Sequence, residues 1–177
     1  DNLMKTLHGR SIKEKVHSEQ VSILSGKIAE MLGFTATKEK RIKEAGYLHD
    51  IGKIVLDEKI VRGHNLSEAE LEIKRQHPVV GYRILNLFDD TLDLAEAVYS
   101  HHENWDGTGY PKGLKGEEIP ITGRIIAVAE VYDELTNEYG DLHFDHAVAV
   151  QKIKAMAGKR FDPAIVEAFT KIKLDTN

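Results

Sequence analysis

The sequence of 177 residues predicts an all-α fold. No segment shows the sustained alternation of apolar and polar residues that predicts β-strands. Several segments instead carry apolar residues at helical spacing, each behind a residue that commonly caps helices. The length is typical of one domain with a self-sufficient core. We therefore expect residues 1–177 to form a single compact multi-helix domain.

Two helices are predicted in the first third of the chain. Ser11 and Glu14 have capping-box spacing, and the helix that they open is expected to end at Gly33. Thr37 is expected to cap a second helix, which ends at Gly52. One face of the first helix carries His17, Val21, Leu24, Ile28 and Met31, and one face of the second carries Ile42, Ala45, Leu48 and His49.

Three more helices are predicted between residues 67 and 102. Ser67 and Glu70 repeat the capping-box spacing. Pro78 suits the first turn of a helix that runs to about Phe88. Asp90 is expected to cap the next helix. The inward positions of that helix follow i, i+4, i+7, i+8 spacing and are Leu94, Val98, His101 and His102.

The second half of the chain contains a long loop followed by three helices. Residues 104–120 hold four glycines and two prolines, and loops of this length in compact domains are usually functional. A strongly apolar helix is predicted from Ile121 to about Tyr139. Asp145 is expected to cap the next helix, and Asp162 the last one, with Pro163 at its first position.

Composition excludes several classes of protein. The 24 basic and 29 acidic residues leave a formal net charge of -5, which does not favour a nucleic acid polymer or an anionic membrane surface. No run of residues is apolar enough for membrane insertion. The absence of cysteine excludes disulfides and thiolate metal sites, and we expect a cytoplasmic location. Because the sequence begins at Asp1 without an initiator methionine, we expect a piece of a longer protein, with a fused sensory domain.

Histidines are concentrated on the predicted apolar faces. A single histidine there is more often a hydrogen-bonded core residue than a metal ligand. Several buried imidazoles beside Asp50 are costly unless each finds a partner, and a shared metal ion supplies one. Because a carboxylate can bridge two cations, the pattern predicts a dinuclear site. The candidate histidines are His17, His49, His77, His101 and His102.

Two carboxylates on the predicted helix 121–139 support this interpretation. Glu130 and Asp133 are three residues apart, so they share one face of an otherwise apolar helix. At least one of them must face the interior or a site. A buried carboxylate needs a cation, which a metal ion provides.

Residues 101–120 read HHENWDGTGYPKGLKGEEIP, which resembles the signature of HD-GYP domains, bacterial relatives of the HD phosphohydrolases. The resemblance covers about residues 11–170 and includes VHSEQVS around His17, AGYLHDIGK at 45–53, LSEAELEIKRQHPVVGYRIL at 66–85 and RIIAVAEVYDELT at 124–136. It implies a helical HD-type domain with a di-iron or di-manganese type centre. It also implies hydrolysis of cyclic di-GMP to a linear dinucleotide, GMP, or both.

The resemblance implies a ligand set for two metal ions. One ion would be held by His17, His49, Asp50 and Glu130, and the other by Asp50, His77, His101 and His102. The family ordinarily has aspartate at position 130, so the longer Glu130 is expected to shift or weaken that site. Lys13 stands where some members place a carboxylate for a third metal, so we expect two ions. Fe or Mn is favoured, and Zn, Ni or Co can occupy such sites.

The resemblance also implies residues that act on the substrate. Asp50 and Lys53 are the expected catalytic residues, with Lys53 neutralising charge on the phosphate. Tyr110, in the Gly-Tyr-Pro tripeptide, stacks on a ligand or only anchors its loop, and both interpretations stay open. A signalling partner is expected to use the same loop. The expected substrate-binding residues are Lys53, Arg62, Tyr110, Arg124 and Asp133.

Two departures from the family pattern concern the substrate. An Arg-Pro-Tyr-Arg segment is replaced by Tyr139, Gly140, Asp141 and Leu142, so an arginine expected on a phosphate is missing and binding of cyclic di-GMP is expected to be weak. A Lys-Pro-Gly turn is replaced by Arg62, Gly63 and His64. Four histidines match no ligand of the family and are expected at the surface: His8, His64, His143 and His146.

Three functions follow from the sequence as alternatives. The first is a metal-dependent phosphodiesterase for cyclic di-GMP. The second is a phosphohydrolase for another nucleotide, such as a different cyclic dinucleotide, because of the missing arginines. The third is a catalytically idle, metal-bound module for signalling or interaction, because of Glu130 and Tyr139. Turnover separates the third from the other two.

Overall fold

A computed structural model describes residues 2–63, 65–139 and 142–174. The all-α prediction is confirmed, since the described residues form helices and two isolated β-bridges but no strand. The helices are α1 (Asn2–Arg10), α2 (Ile12–Met31), α3 (Ala36–Leu48), α4 (Glu58–Arg62), α5 (Glu68–Lys74), α6 (His77–Leu85), α7 (Leu92–Ser100), α8 (Ile121–Thr136), α9 (His146–Ala155) and α10 (Pro163–Thr170). Short 3₁₀ turns lie at Ile51–Val55, Asp89–Thr91 and Gly116–Glu118.

Helix α2 is the centre of the packing. It packs against both α3 and α8, while α6 packs against α7 and the 3₁₀ turn Ile51–Val55. The core is apolar and nearly free of solvent contact, as expected for large buried side chains that drive folding. Its members include Val21, Ile28, Ile42, Val98, Ile125, Ile126 and Phe169.

The first two predicted helices exist, but their details differ. The Ser11 hydroxyl accepts from the Glu14 backbone N–H, which confirms the cap, whereas the Glu14 carboxylate turns inward. Thr35 rather than Thr37 caps α3, since its hydroxyl accepts from Lys38 N–H. Met31, predicted on the apolar face of α2, is exposed. Helix α1 was not predicted, because its nine residues carry only a short apolar pattern.

Helix α3 ends at Leu48 instead of continuing to Gly52, because the chain tightens into the 3₁₀ turn that contains this glycine. A β-carbon on Gly52 would lie 1.9 Å from the carbonyl oxygen of His77. Glycine is therefore needed where the turn meets the start of α6. This close approach brings the end of α3 and the start of α6 together.

The middle of the chain follows the predictions in part. Ser67 and Glu70 complete the capping box of α5, and Pro78 lies in the first turn of α6. Helix α6 ends at Leu85 rather than near Phe88. Asp90 does not cap α7; it lies in a 3₁₀ turn. The Asp90 backbone carbonyl accepts a hydrogen bond from Arg41, which holds this turn against α3.

The last helices begin where predicted, with Asp145 and Asp162 as caps and Pro163 in the first turn of α10. Helix α8 ends at Thr136, three residues before the predicted end, because Asn137 is extended. Along the described residues, no helix is long and apolar enough to cross a membrane.

The four histidines expected at the surface have different environments. His143 is exposed. His8 is half-buried against the ring of Tyr47, and His146 is half-buried with its Nδ1 2.9 Å from the Tyr132 hydroxyl. His64 lies outside the described residues, as do Gly140 and Asp141. The surface prediction is thus only partly right for His8 and His146.

Candidate metal centre

Five helices and the turns beside them place the predicted ligands around one point in the core. Each of these side chains except His102 is buried, and His102 is half-buried. His17 comes from α2, His49 and Asp50 from the end of α3, His77 from the start of α6, His101 and His102 from the end of α7, and Glu130 from α8.

The ligand atoms form two groups, within each of which they lie no more than 4.8 Å apart. Asp50 lies between the groups. Its Oδ2 is 3.1 Å from His49 Nε2 and 3.5 Å from His17 Nε2. Its Oδ1 is 3.1 Å from His77 Nε2 and 3.9 Å from His101 Nε2. The two oxygens of one carboxylate thus face two sets of imidazoles, which is the arrangement of a bridging ligand.

Hydrogen bonds at Nδ1 orient four of the rings. His17 donates to Asp133 Oδ2 over 2.6 Å. The rings of the other three lie with Nδ1 2.5–2.7 Å from backbone carbonyl oxygens. A proton fixed on Nδ1 leaves Nε2 with its lone pair, the state that binds metal. The three pairs are His49 with Gly46, His77 with Lys74, and His101 with Val98.

Several buried polar atoms fit a bound cation. Within the described part of the chain, neither oxygen of Asp50 makes a hydrogen bond, and neither does Glu130 Oε2 or His102 Nε2. The Nε2 atoms of His17 and His49 are 3.1 Å apart, so two lone pairs face one another. Buried polar atoms without partners are costly, and a divalent cation satisfies them. Imidazole and carboxylate donors suit a transition metal.

Burial and neighbouring charges shift the pKa values of several ligand candidates. At Asp50, burial raises the pKa, but His49 and Lys53 outweigh burial and hold the pKa well below its usual range. Burial, with a smaller contribution from His77, lowers the pKa of His102 to about 4. The pKa of His101 is also lowered by burial and by His102. At His17 and His49, by contrast, burial lowers the pKa, but the carboxylates of Asp133 and Asp50, respectively, outweigh burial and raise the pKa. Asp50 is therefore a carboxylate, and His101 and His102 are neutral imidazoles, the forms that bind metal.

Comparison with known families identifies the family of this chain. The family model described as HD domain matches residues 3–165, which is most of the chain. This chain belongs to the HD domain family. The HD-GYP resemblance is confirmed as well, since the curated relatives include cyclic di-GMP phosphodiesterases and one similar solved structure is described as an HDG"Y"P protein of Bdellovibrio bacteriovorus.

Two curated relatives illustrate the similarity. A cyclic di-GMP phosphodiesterase of Thermotoga maritima is 40% identical over 168 residues, which span 93% of this chain and 46% of the relative. The 3'3'-cGAMP-specific phosphodiesterase 2 of Vibrio cholerae is 34% identical over 171 residues, 94% of this chain and 33% of the relative. The chain therefore spans less than half the length of these relatives.

Solved structures share the fold. The cyclic GMP-AMP specific phosphodiesterase V-cGAP3 of V. cholerae aligns with a TM-score of 0.73 at 20% identity, over 96% of this chain and 46% of that one. The B. bacteriovorus protein Bd1817 aligns with a TM-score of 0.70 at 23% identity, over 86% and 50%. At these identities the likeness establishes the HD fold alone.

Lys53 of this HD domain is buried and ion-paired. Its Nζ lies 2.7 Å from Glu14 Oε1 and 3.1 Å from Asp50 Oδ2. Burial lowers the pKa of Lys53, but Asp50 and Glu14 outweigh burial and raise the pKa, so the side chain is a cation. Glu14 was not predicted as a site residue. Its position three residues before His17, on the same face of α2, is the signal that places it there.

Asp133 has a partner within the protein. Its Oδ2 accepts hydrogen bonds from His17 Nδ1, at 2.6 Å, and from Asn137 Nδ2, at 3.0 Å. The sequence predicts Asp133 as a substrate-binding residue. In the structure its carboxylate lies against His17 Nδ1, where it orients the ring of a candidate ligand.

Two predicted substrate-binding arginines are engaged with other protein groups. Arg124 Nη1 is 2.7 Å from Asp162 Oδ2, and its Nε donates to the Ile119 carbonyl, so Arg124 ties α8 to the start of α10. Arg62 is exposed and pairs with Glu58, and it lines a small cavity of about 220 Å³ beside His17 and Lys53. The contacts of Arg124 with Asp162 and with the Ile119 carbonyl do not support a direct role for Arg124 in binding substrate.

The Gly-Tyr-Pro loop packs against His102, one of the candidate metal ligands. The Tyr110 ring stacks on the His102 ring, with centroids 5.0 Å apart and an interplanar angle of 11°. Glu103, which sequence analysis did not single out, is buried next to His102. Its carboxylate accepts from three backbone N–H groups at 2.7–3.2 Å, those of Lys112, Gly113 and Leu114. One carboxylate thus fixes the loop that carries Tyr110.

Proposed function

We propose that this HD domain hydrolyses a phosphodiester bond of a cyclic dinucleotide, with cyclic di-GMP as the first candidate. The position of Asp50 between two sets of imidazoles carries the proposal, because this arrangement suits a dinuclear centre. The curated relatives named as cyclic di-GMP phosphodiesterases support the substrate class. We also propose that residues 1–177 form one such domain, with its core over about residues 11–170, and that it is cytoplasmic.

The proposed ligands are those implied by the family resemblance. His17, His49, Asp50 and Glu130 would hold one metal ion, and Asp50, His77, His101 and His102 the other. When bound, the metal pair supplies Lewis-acid chemistry, lowering the pKa of a water molecule and offsetting the charge of a phosphodiester. We propose two ions, with iron or manganese as the working metals.

The chain's own residues prepare the centre for this chemistry. Four Nδ1 hydrogen bonds hold the imidazoles in the tautomer that presents Nε2. Lys53 keeps a positive charge at Asp50, and Glu14 holds its ammonium in place. A fixed cation beside the reacting phosphate needs no rearrangement as negative charge develops. Tyr110 covers one face of His102 and keeps that ring in position.

A specific observation favours a second candidate substrate. Relatives named as 3'3'-cGAMP-specific phosphodiesterases are 32–34% identical to this chain. Position 139 carries tyrosine where the family resemblance predicts an arginine. A mixed cyclic dinucleotide is therefore the alternative substrate.

The test is anaerobic purification with metal quantification, followed by chromatography of the products from a panel of cyclic dinucleotides. We expect about two metal ions per chain and a linear dinucleotide or mononucleotide as product. The same measurements are made on Asp50→Asn, which removes the charge of the proposed bridging ligand. Its matched control is Asp93→Asn, the same change at a surface carboxylate. Protein that carries two metals but converts no member of the panel would be the idle module, and the proposed activity would be wrong.

A further inference from the structure

Two cavities touch the histidine centre, and they differ in size. The cavity beside His17 and Lys53 has a volume of about 220 Å³. The cavity beside His102 and Tyr110 has a volume of about 880 Å³. Pockets for small molecules are usually about 300–1,000 Å³. Only the second of these two cavities therefore has room for a dinucleotide.

The larger cavity, which we call the His102 cavity, is lined by two arginines from separate parts of the chain. Arg75 follows α5, and Arg160 lies in the turn before α10. Arg160 has no carboxylate within ion-pair distance among residues 2–63, 65–139 and 142–174, and Arg75 has only Glu72, at 3.5 Å. Glu72 is also the single acidic residue of the lining. The cavity thus offers two guanidinium groups against one carboxylate.

The backbone around Arg160 is fixed to the loop that carries Tyr110. The Arg160 carbonyl accepts from Trp105 N–H at 3.1 Å, and the Lys159 carbonyl accepts from Asp106 N–H at 2.9 Å. A guanidinium on an anchored backbone loses less freedom when it binds an anion than one on a free loop. These contacts hold Arg160 at the side of the cavity.

We propose that Arg160 and Arg75 bind the second, unreacting phosphate of the cyclic dinucleotide while the first lies at the metal centre. Guanidinium groups form bidentate, charge-assisted hydrogen bonds with phosphate. The pair selects substrates with two phosphates over those with one. This inference rests on the proposed phosphodiesterase function, and it replaces Arg124 as the arginine that contacts substrate.

The experiment compares ligands that differ in the second phosphate. Cyclic di-GMP has two phosphates, GpG has both guanines but one phosphodiester, and bis(p-nitrophenyl) phosphate has one phosphodiester and no base. The metal-loaded chain, Arg160→Gln and the control Arg83→Gln are assayed for KM with cyclic di-GMP and bis(p-nitrophenyl) phosphate, and for inhibition by GpG. Arg83 is an exposed residue of α6 that does not line the His102 cavity.

We expect Arg160→Gln to raise KM for cyclic di-GMP about 10- to 150-fold, the range for one charge-assisted contact of about 1.5–3 kcal/mol. KM for bis(p-nitrophenyl) phosphate and inhibition by GpG should not change. If inhibition by GpG weakens to the same extent, Arg160 contacts a guanine and the assignment is wrong. Unchanged kinetics with all three compounds would also overturn the assignment. If unmodified protein hydrolyses only bis(p-nitrophenyl) phosphate, the proposed function fails instead.

Discussion

Replacement of Asp50 tests the dinuclear centre most directly. Asp50→Asn keeps the size of the side chain but removes the charge that both groups of imidazoles share. The Asp50 oxygens lie 3.1–3.9 Å from four imidazole Nε2 atoms, two on each side. We expect the variant to lose both metal ions and its activity. Variants limited to one group, His17→Asn and His77→Asn, should each lose one ion.

The size of the effect follows from the role of the carboxylate. Loss of a residue that only supports a ligand costs about 10- to 100-fold in metal affinity, so loss of a shared ligand should cost more than 100-fold for each ion. The apoprotein should also be less stable, because removal of one partner from a buried ion pair costs about 3–5 kcal/mol. Because Lys53 keeps its ion pair with Glu14 when Asp50 is replaced, we expect a cost near the lower end of this range.

Elemental analysis after anaerobic purification gives the metal content, and urea unfolding of the metal-free proteins gives the stability. The control Asp93→Asn should keep about two ions per chain, as a surface change far from any ligand role. If Asp50→Asn keeps both ions and full activity, Asp50 is not a bridging ligand. If it loses a single ion, the carboxylate serves one metal only. A third well-occupied metal in the unmodified protein would contradict the expected count of two.

Three more changes test single contacts. Glu14→Gln should lower kcat about tenfold while metal content stays constant, since Lys53 loses the carboxylate that holds it; a loss of metal would show that Glu14 acts on the centre itself. Glu103→Gln should lower the free energy of unfolding by about 1–3 kcal/mol in urea and make the loop around Tyr110 sensitive to proteolysis, because three backbone N–H groups lose a charged acceptor; unchanged stability and cleavage would contradict the anchor role. Tyr139→Arg should lower KM for cyclic di-GMP about tenfold if the new guanidinium reaches a phosphate; an unchanged KM would show that position 139 does not face the substrate.

The helices and the ligand candidates could be predicted because their signals are local. Capping residues such as Ser67 and Asp162 act within three residues of themselves, and the ligand histidines lie in short motifs on apolar faces. Thr35 and Thr37 both suit a cap, and the sequence alone does not separate them. The end of α3 depends on a tight turn that Gly52 makes against α6, which only the packed chain reveals.

Contacts between distant segments could not be predicted in the same way. Glu14 and Lys53 are 39 residues apart, and His17 and Asp133 are 116 residues apart. The sequence shows that each residue has suitable chemistry, but not which partner it meets. Lys53 was therefore expected on a phosphate, while the structure pairs it with two carboxylates.

A double-mutant cycle tests whether an arginine at position 139 and Arg160 bind the same phosphate. Tyr139 is exposed just beyond α8, and its backbone N–H donates to the Asn137 side chain, which helps fix the chain direction there. Arg160 comes instead from the turn that is bonded to the Gly-Tyr-Pro loop. If both positions serve the same phosphate, Tyr139→Arg will improve KM more in the Arg160→Gln background than in the unmodified chain, because groups that share a partner are not additive. Equal effects in the two backgrounds would mean that the two positions act on different parts of the substrate.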